Sequence, residues 1–433
     1  MKIKIKGQTG QDLFESVRSL IASGELVEGS ALPPVRELAQ EVGVNRNTVA
    51  GVYQKLVKAG LAETKGRLGT RVKARQAAGQ QDGVTDTQLV DLADGNLKRE
   101  WLPDLNDIAQ SSDFKQFAYG ESPILPQAHT FGVKWFSKQC PDAFGITLTS
   151  GAVDSLERLL VTHLLPGDKI LVEDPCYLGS SNAIRLAGMS AVGACVDEQG
   201  MVTSELEAAL KKGVRAVLFT PRAQNPTGCC YSEERVKELK EILSQYPNVL
   251  VLVDDHFALL SEQPFYSIVP DNTNHWAIYR SVSKGLGPDL RLAFVAADLV
   301  TTERLQSRLM PGMTWVSRVL QAMVVTALAS NTVERQLKKA ATECKESLHL
   351  LIDALNNRGF KLSYMTEGVN LWVPVKGEAQ ACAYELSKLG WLVRPGNMFD
   401  VDHQSSGLRI TTVKLDKALA EQLAEDIANT CMS

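Results

Sequence analysis

Long apolar runs are missing from this chain, and its first residues lack the apolar core of a signal peptide. The eight cysteines are scattered, with Cys229 and Cys230 the only close pair, so neither a disulfide framework nor zinc-ligand spacing is present. Internal repeats and low-complexity segments are also lacking. These absences predict a reduced, cytoplasmic protein with no membrane partner and no metal centre.

The composition is that of an ordinary globular protein, with 44% hydrophobic and 22% charged residues. At 433 residues the chain is long enough for more than one domain. Its net charge of −4 is unevenly distributed, because residues 1–75 hold 13 basic and 7 acidic residues and the remainder holds 33 and 43. A basic head on an acidic body predicts a polyanionic partner at one end only.

The basic head shows the pattern of three helices followed by a small hairpin. Apolar residues at helical spacing predict helices over 9–23, from Val35 to Gly43, and from Arg46 to Ala59. Residues 61–72 then form two short apolar runs around a basic turn. Two helices with a tight turn, followed by a hairpin, are typical of a winged helix-turn-helix.

The exposed positions of this head suit DNA. Polar residues open the third helix, the end that meets base edges in the major groove, and basic residues nearby suit phosphates. The residues predicted to contact DNA are Arg36, Asn45, Arg46, Asn47, Thr48, Lys65 and Arg67. On pattern alone, a helical packing domain with a solvated basic face remains an alternative.

Beyond a polar stretch at 76–88, which predicts a flexible linker, apolar strands alternate with amphipathic helices. This alternation predicts an α/β domain over 89–433 with a mostly parallel, seven-stranded sheet covered on both faces. The predicted strands are 146–149, 169–173, 190–196, 215–220, 249–254, 276–281 and 290–296. Because ligands bind at the carboxyl ends of such strands, the residues that follow them are the candidates for chemistry.

The segment from Ser281 to Arg291 is the most informative strand end. It places Lys284 beside Ser283, with Arg291 seven residues further on. Pyridoxal 5'-phosphate (PLP) needs an amine for its aldehyde and hydroxyl and guanidinium donors for its phosphate. An isolated loop lysine is more often a solvated charge, so the other strand ends decide between the two interpretations.

Four further strand ends carry suitable groups. Gly151 and Ala152 begin a helix whose N–H groups suit a phosphate, and Tyr177 suits stacking on a flat ring. Asn225 suits donation to a ring oxygen, and Asp254 suits a protonated pyridine nitrogen. Each of these also has an ordinary interpretation as a turn, cap or packing residue. Their occurrence in one order with Lys284 and Arg291 favours a PLP site.

The motifs resemble known families. Residues 32–39, 43–49 and 60–61 resemble the GntR-type DNA-binding domain across 7–73, although Pro34 stands where that family usually has serine. Residues 89–433 resemble the fold-type-I aminotransferases, with a large subdomain at about 120–310 and a small one at about 311–433. Together they resemble the MocR subfamily of bacterial regulators.

The resemblance implies a role for each site residue. Lys284 would bond covalently to PLP as a Schiff base, Asp254 would pair with its pyridine nitrogen, and Arg409 would clamp a substrate or effector carboxylate. The remaining cofactor contacts implied by the resemblance are Asn225, Tyr177, Ser281, Ser283, Arg291, Gly151, Ala152, His256 and Tyr119, the last reaching the partner subunit's phosphate. Where the family has hydroxyl and amide side chains this chain has Ala152 and Val153, and His256 replaces an aromatic hydroxyl.

The expected function is a homodimeric transcription regulator that binds a double-stranded DNA operator and senses PLP, an amino compound, or both. Vitamin B6 metabolism or salvage is the expected pathway. A working aminotransferase with an incidental head is the main alternative, since Lys284 and Arg409 are both present. A third alternative is a dimer scaffold whose pocket stays empty.

Overall fold

The computed structural model describes residues 4–27, 29–59, 61–64, 69–72, 87–141 and 143–431. The chain divides into two compact units, with the boundary near residue 80. Lys65, Arg67 and most of the predicted linker lie outside the described residues. Within the described part of the chain, no helix is both long and apolar enough to cross a membrane.

The first unit is a three-helix fold with a hairpin. Its elements are α1 (Gly10–Ala22), α2 (Val35–Val42), α3 (Arg46–Lys58), β1 (Ala62–Thr64) and β2 (Thr70–Val72). Gly43 ends α2 in the left-handed region at φ 71°, and the side chain of Asn45 caps α3 by accepting the Asn47 N–H at 2.9 Å. The antiparallel hairpin continues the core of buried Leu13, Leu38 and Leu56.

The second unit is built on an eight-stranded sheet. The strands of this unit, in chain order, are β3 (Val90–Asp91), β4 (Gly145–Thr149), β5 (Lys169–Asp174), β6 (Ser190–Asp197), β7 (Gly200–Met201), β8 (Ala216–Phe219), β9 (Leu250–Asp254), β10 (Trp276–Ser281), β11 (Ala293–Ala297), β12 (Asn370–Pro374), β13 (Trp391–Leu392), β14 (Arg394–Pro395) and β15 (Gly407–Thr411). The large sheet has the order β4-β11-β10-β9-β8-β5-β6-β7. Its central run from β10 to β6 is parallel, whereas β4, β11 and β7 pair antiparallel with their neighbours.

All seven predicted strands occur, each within three residues of its predicted ends. The eighth is the two-residue β7, which turns back along β6 in a hairpin and extends the sheet at that edge. A run of two residues carries no alternation or apolar block, so pattern reasoning does not detect it.

Helices cover both faces of the large sheet. The helices of the second unit are α4 (Leu105–Ser111), α5 (Pro126–Phe136), α6 (Ala152–His163), α7 (Leu178–Leu186), α8 (Thr203–Lys211), α9 (Glu233–Leu243), α10 (Ser283–Leu286), α11 (Leu299–Leu309), α12 (Arg318–Ala329), α13 (Asn331–Asn356), α14 (Ala379–Lys388) and α15 (Lys417–Cys431), with 3-10 turns at Arg99–Trp101, Pro288–Leu290 and Gly396–Met398. Two large apolar clusters lie on opposite sides of the strands, one including Ile278 and Phe294 and the other Leu252 and Val295. Burial on both sides explains the near-continuous apolar runs of the central strands.

A smaller sheet and its helices form the C-terminal part. Strands β12, β15 and β14 pair antiparallel and pack with α13, α14 and α15 around a separate apolar cluster. The short strand β3 pairs in parallel with β13, and Leu92, the residue that follows β3, belongs to this cluster. The residues that follow the predicted linker are therefore anchored to the C-terminal part.

Candidate functional site

The carboxyl ends of the central strands enclose one pocket of about 690 Å³. Nine of the eleven residues predicted for PLP line it. Those nine are Ala152, Tyr177, Asn225, Asp254, His256, Ser281, Ser283, Lys284 and Arg291. Convergence of polar groups from five separate chain segments is typical of a ligand site at a sheet edge.

Lys284 lies in α10, the single helical turn that follows β10. Its Nζ donates to the carbonyl of Gly95. Three residues before Lys284, Ser281 Oγ lies 3.0 Å from Ser283 Oγ and accepts the Ser283 N–H at 3.2 Å. The amine and both hydroxyls are thus held by one turn at the strand end.

Arg291 and the start of α6 define an end of the pocket that suits an anion. Arg291 adopts a left-handed backbone at φ 32°, which costs a non-glycine residue free energy and is common at functional sites. Its Nη2 donates to the Ser150 carbonyl at 2.9 Å. A side chain at Gly151 would meet this guanidinium at 2.7 Å, so glycine permits the close approach. Helix α6 has no side-chain N-cap, which leaves its first N–H groups directed at this end.

Asp254 ends β9 and is the most constrained acid of the pocket. Within the described residues its Oδ1 is buried and has no hydrogen-bond partner. Burial raises the pKa of Asp254 well above its ordinary value, and the negative charges of Asp255 and Glu173 raise it further. A buried acceptor in this position requires a cationic donor to be stable as a carboxylate.

The two acids near Asp254, Asp255 and Glu173, already have hydrogen-bond donors. Asp255 accepts two hydrogen bonds from Arg222 at 2.9 and 2.6 Å and one from Arg280 at 2.7 Å. Glu173 accepts the Thr220 N–H and the Tyr231 hydroxyl, both at 2.7 Å, and burial raises its pKa to about 7. Asp254 is therefore the acid in this group that faces the pocket with an unused oxygen.

Asn225 lines the pocket and is contacted from behind the lining by Arg409. The fully buried Arg409 donates through Nη1 to Asn225 Oδ1 at 3.4 Å and through Nη2 to the Ala93 carbonyl. The same carbonyl accepts from Arg394 Nε at 3.4 Å. Two arginines and Lys284 thus hold the backbone of residues 93–95, which we call the strap.

Tyr177 and His256 both line the pocket. The Tyr177 ring lies against Gly179, where an added Cβ would come within 2.4 Å of the ring, so this glycine sets the ring position. Burial and, to a smaller extent, the positive charge of Lys284 lower the pKa of His256 to about 4. His256 is therefore neutral at physiological pH.

Two of the residues predicted for PLP, and also Arg409, lie apart from the pocket lining. Gly151 stands behind Arg291, as described above. Tyr119 is 91% exposed and its ring packs edge-on against Trp315 at 5.6 Å, so within one chain it does not line the pocket. This exposure is what a residue directed at a partner subunit would show.

Sequence reasoning missed two lining residues, Ser180 and Thr220. Thr220 directly follows β8, so the rule that ligands bind at strand ends was sufficient to find it. Ser180 lies in the first turn of α7, three residues after Tyr177, and carries no independent signal. Val153, noted only as a departure from the family, also lines the pocket.

In the first unit, the described residues that were predicted to contact DNA are exposed or half-buried. Asn45, Arg46 and Asn47 are exposed at the start of α3, and Thr48 is half-buried. Arg36 is exposed at the start of α2. Asn45 already serves as the helix cap through its side-chain oxygen, which restricts its availability to bases.

The donor set fits PLP. The unused Asp254 oxygen matches a protonated ring nitrogen, the α6 start with Arg291 and the two serines matches a phosphate, and Lys284 supplies the amine. This match rests on chemistry at three separate ends of one pocket, not on any single residue.

Comparison with known families defines the class. Residues 87–427 match the family "Aminotransferase class I and II", and residues 9–72 match "Bacterial regulatory proteins, gntR family". The chain belongs to the MocR-type transcription regulators, in which a GntR DNA-binding domain precedes a PLP-type aminotransferase-like domain. The predicted fold class is confirmed.

Individual relatives agree with this class. The chain is 45% identical, over 98% of both chains, to the vitamin B6 salvage pathway transcriptional repressor PtsJ of Salmonella typhimurium strain LT2. It is 24% identical to the protein of Rhizobium meliloti named "Probable rhizopine catabolism regulatory protein MocR", covering 66% of this chain and 64% of that one. Among solved structures, a multiple substrate aminotransferase from Thermococcus profundus matches at TM-score 0.71 and 21% identity, covering 80% of this chain and 92% of that one.

Proposed function

We propose that this protein is a DNA-binding transcription regulator whose aminotransferase-like body binds PLP and transmits the occupancy of its pocket to the DNA-binding head. The regulated pathway is vitamin B6 metabolism or salvage. The observation that carries the proposal is the buried, unpartnered Asp254 oxygen in the pocket that also holds Lys284 and Arg291. The PtsJ relative, a repressor of vitamin B6 salvage by name, supports the pathway.

The pocket residues have distinct tasks in this proposal. PLP, when bound, supplies an aldehyde that reacts with primary amines and a ring that withdraws electrons from that carbon. Lys284 presents its amine from the α10 turn, and Asp254 holds a positive charge at the buried end. Arg291, Ser281 and Ser283 bind the phosphate. Asn225, held by Arg409, orients its amide donor toward the ring oxygen.

Weak phosphate binding would suit a sensor. Ala152 and Val153 line the phosphate end without offering a side-chain hydrogen bond. Each hydrogen bond to a charged group contributes about 1.5–3 kcal/mol, so losing one loosens binding by about one to two powers of ten. Occupancy would then follow the supply of free PLP, which a permanently filled site cannot report.

Transamination is the second candidate function. It is favoured by the contact of the buried Arg409 with the pocket-lining Asn225, because Arg409 is the residue that the family resemblance assigns to a substrate carboxylate. The same geometry serves an amino-acid-like effector in a regulator. An enzyme, however, has no use for the exposed polar start of α3 in the head.

A homodimer is part of the proposal. Tyr119 is 91% exposed although its family counterpart contacts the partner subunit's phosphate, and exposed Phe114, Phe117 and Met313 accompany it. Large apolar side chains grouped near a pocket are typical of a subunit interface. Two heads in one particle would then bind two half-sites of an operator.

Replacing Arg46 tests the head. We expect Arg46→Ala to reduce the preference for operator over random DNA by about 1–3 kcal/mol, or roughly 5- to 150-fold, because the start of α3 reads base edges. Fluorescence anisotropy with DNA from the upstream region of the gene measures both affinities. Arg18→Ala is the matched control, since Arg18 is an exposed arginine of the same unit paired with Glu15 on α1. Equal loss of preference in both variants would refute the assignment.

Titrating operator binding with PLP separates the effector classes. If PLP is the effector, PLP alone shifts operator affinity, and amino compounds added to PLP-loaded protein change it little. If an amino compound is the effector, the shift occurs only on its addition, and Arg409→Lys removes it. A protein whose operator affinity responds to neither would contradict the sensing proposal while leaving DNA binding intact.

A further inference from the structure

Three metal-ligating side chains meet away from the pocket, and the function described above uses none of them. Cys195 lies on β6, Glu205 in the first turn of α8, and His403 in the loop before β15. One ligand atom from each residue lies within 4.8 Å of the other two. A thiol, a carboxylate and an imidazole thus converge from three separate chain segments.

The histidine is oriented by a buried acid. His403 Nδ1 lies 3.0 Å from Asp174 Oδ2, and the Asp174 side chain is 1% exposed. Asp174 also accepts the backbone N–H groups of the same loop at 2.8–3.0 Å. A carboxylate that fixes one ring nitrogen leaves the other for coordination, as at most metal-binding histidines.

The other two ligands are also positioned by the fold. Glu205 Oε2 accepts the backbone N–H of Cys195 at 2.7 Å, which ties the start of α8 to β6. A thiolate next to a carboxylate is destabilised by repulsion between the two negative charges, and a bound cation would remove that repulsion.

We propose that Cys195, Glu205 and His403 bind one divalent ion of the zinc class, with water as the fourth ligand. Sulfur and nitrogen donors select zinc or cobalt over magnesium or calcium. Tetrahedral ligands at about 2.0–2.3 Å lie about 3.3–3.8 Å from one another, so the three side chains need to contract only slightly. His403 is 49% exposed, which gives the ion access from solvent.

The proposed ion would connect the large sheet to the C-terminal part. Cys195 and Glu205 belong to the sheet side, whereas His403 lies between the 3-10 turn Gly396–Met398 and β15. Asp174 directly precedes the segment that carries Tyr177, whose neighbour Cys176 donates its N–H to the Phe399 carbonyl at 2.8 Å. Metal binding would therefore stiffen one wall of the pocket.

Cobalt is the probe for this site, because a cobalt–thiolate bond has its own charge-transfer absorption. Full-length protein treated with a chelator and titrated with Co²⁺ should show this absorption, saturating at one ion per chain and removed by Zn²⁺. Cys195→Ser should abolish the absorption, and Asp174→Asn should weaken binding about 10- to 100-fold. Circular dichroism verifies that each variant is folded.

Cys230→Ser is the matched control, because Cys230 Sγ also faces a carboxylate, 3.8 Å from Glu367 Oε2. It should bind Co²⁺ as the wild type does, and His403→Gln should not. Absence of the thiolate absorption in wild-type protein, its persistence in Cys195→Ser, or its loss in Cys230→Ser would each overturn the proposal. None of these results depends on PLP or DNA, so the proposed regulatory function is tested separately.

Discussion

Lys284→Ala protein is expected to lose the visible absorption of lysine-bound PLP completely. Lys284 is the lysine among the residues that line the pocket, and it shares that lining with Ser281, Ser283 and Asp254. An alanine cannot form the covalent link, so PLP would be held by its phosphate and ring contacts alone. The absorption spectrum of purified protein, before and after addition of PLP, measures this directly.

Lys345→Ala is the control for this experiment. Lys345 is exposed and pairs with Glu262 at 3.0 Å, so its loss should leave the spectrum unchanged. The assignment of Lys284 would be wrong if the variant kept the absorption of the wild type. A wild-type spectrum that does not respond to PLP would contradict PLP binding itself.

Asp254→Asn is expected to weaken PLP binding about 10- to 150-fold. A hydrogen bond to a charged partner contributes about 1.5–3 kcal/mol, and asparagine cannot supply the negative charge that stabilises a protonated ring nitrogen. The dissociation constant for PLP can be measured from quenching of tryptophan fluorescence. Asp271→Asn, at an exposed acid paired with Lys240, is the control that should change nothing.

In PLP-free protein the same variant, Asp254→Asn, is expected to stabilise the fold. The pKa of Asp254 is raised in the folded protein, so the carboxylate destabilises the PLP-free fold at any pH above its unfolded pKa of about 3.9. Asp254→Asn removes this charge, and we expect a higher melting temperature for PLP-free protein at neutral pH. An acid with a purely structural role would show a lower melting temperature, so this second measurement distinguishes the two roles.

The central fold could be read from the sequence because its strands are buried on both faces. Runs such as Leu250–Asp254 and Trp276–Ser281 are almost wholly apolar and end in polar groups, which marks both the strand and its functional end. The C-terminal strands β13 and β14 have two residues each and carry no such pattern. Their positions depend on tertiary packing, which local periodicity does not report.

The sequence predicts the site residues that directly follow a strand. It does not predict those that meet only in the folded chain, because they lie far apart in sequence. Lys284, Asp254 and Asn225 were found because each follows an apolar run. The convergence of Cys195, Glu205 and His403 was not, because spacing rules detect metal ligands only when they are close in sequence. Nor does the sequence reveal that Arg409 holds the Ala93 carbonyl, since 316 residues separate them.

The strap has a thermodynamic consequence for how the regulator would work. Its carbonyls at Ala93 and Gly95 occupy donors of Arg409 and Lys284, the two groups that a carboxylate effector and PLP would use. Pocket ligands therefore compete with a backbone segment that leads, through the chain, toward the DNA-binding domain. Competition of this kind is reciprocal: if PLP changes operator affinity by some factor, operator DNA must change PLP affinity by the same factor. Binding to a promoter would then alter how much cofactor the protein holds. The PLP concentration that half-saturates the protein would therefore differ from one operator to another.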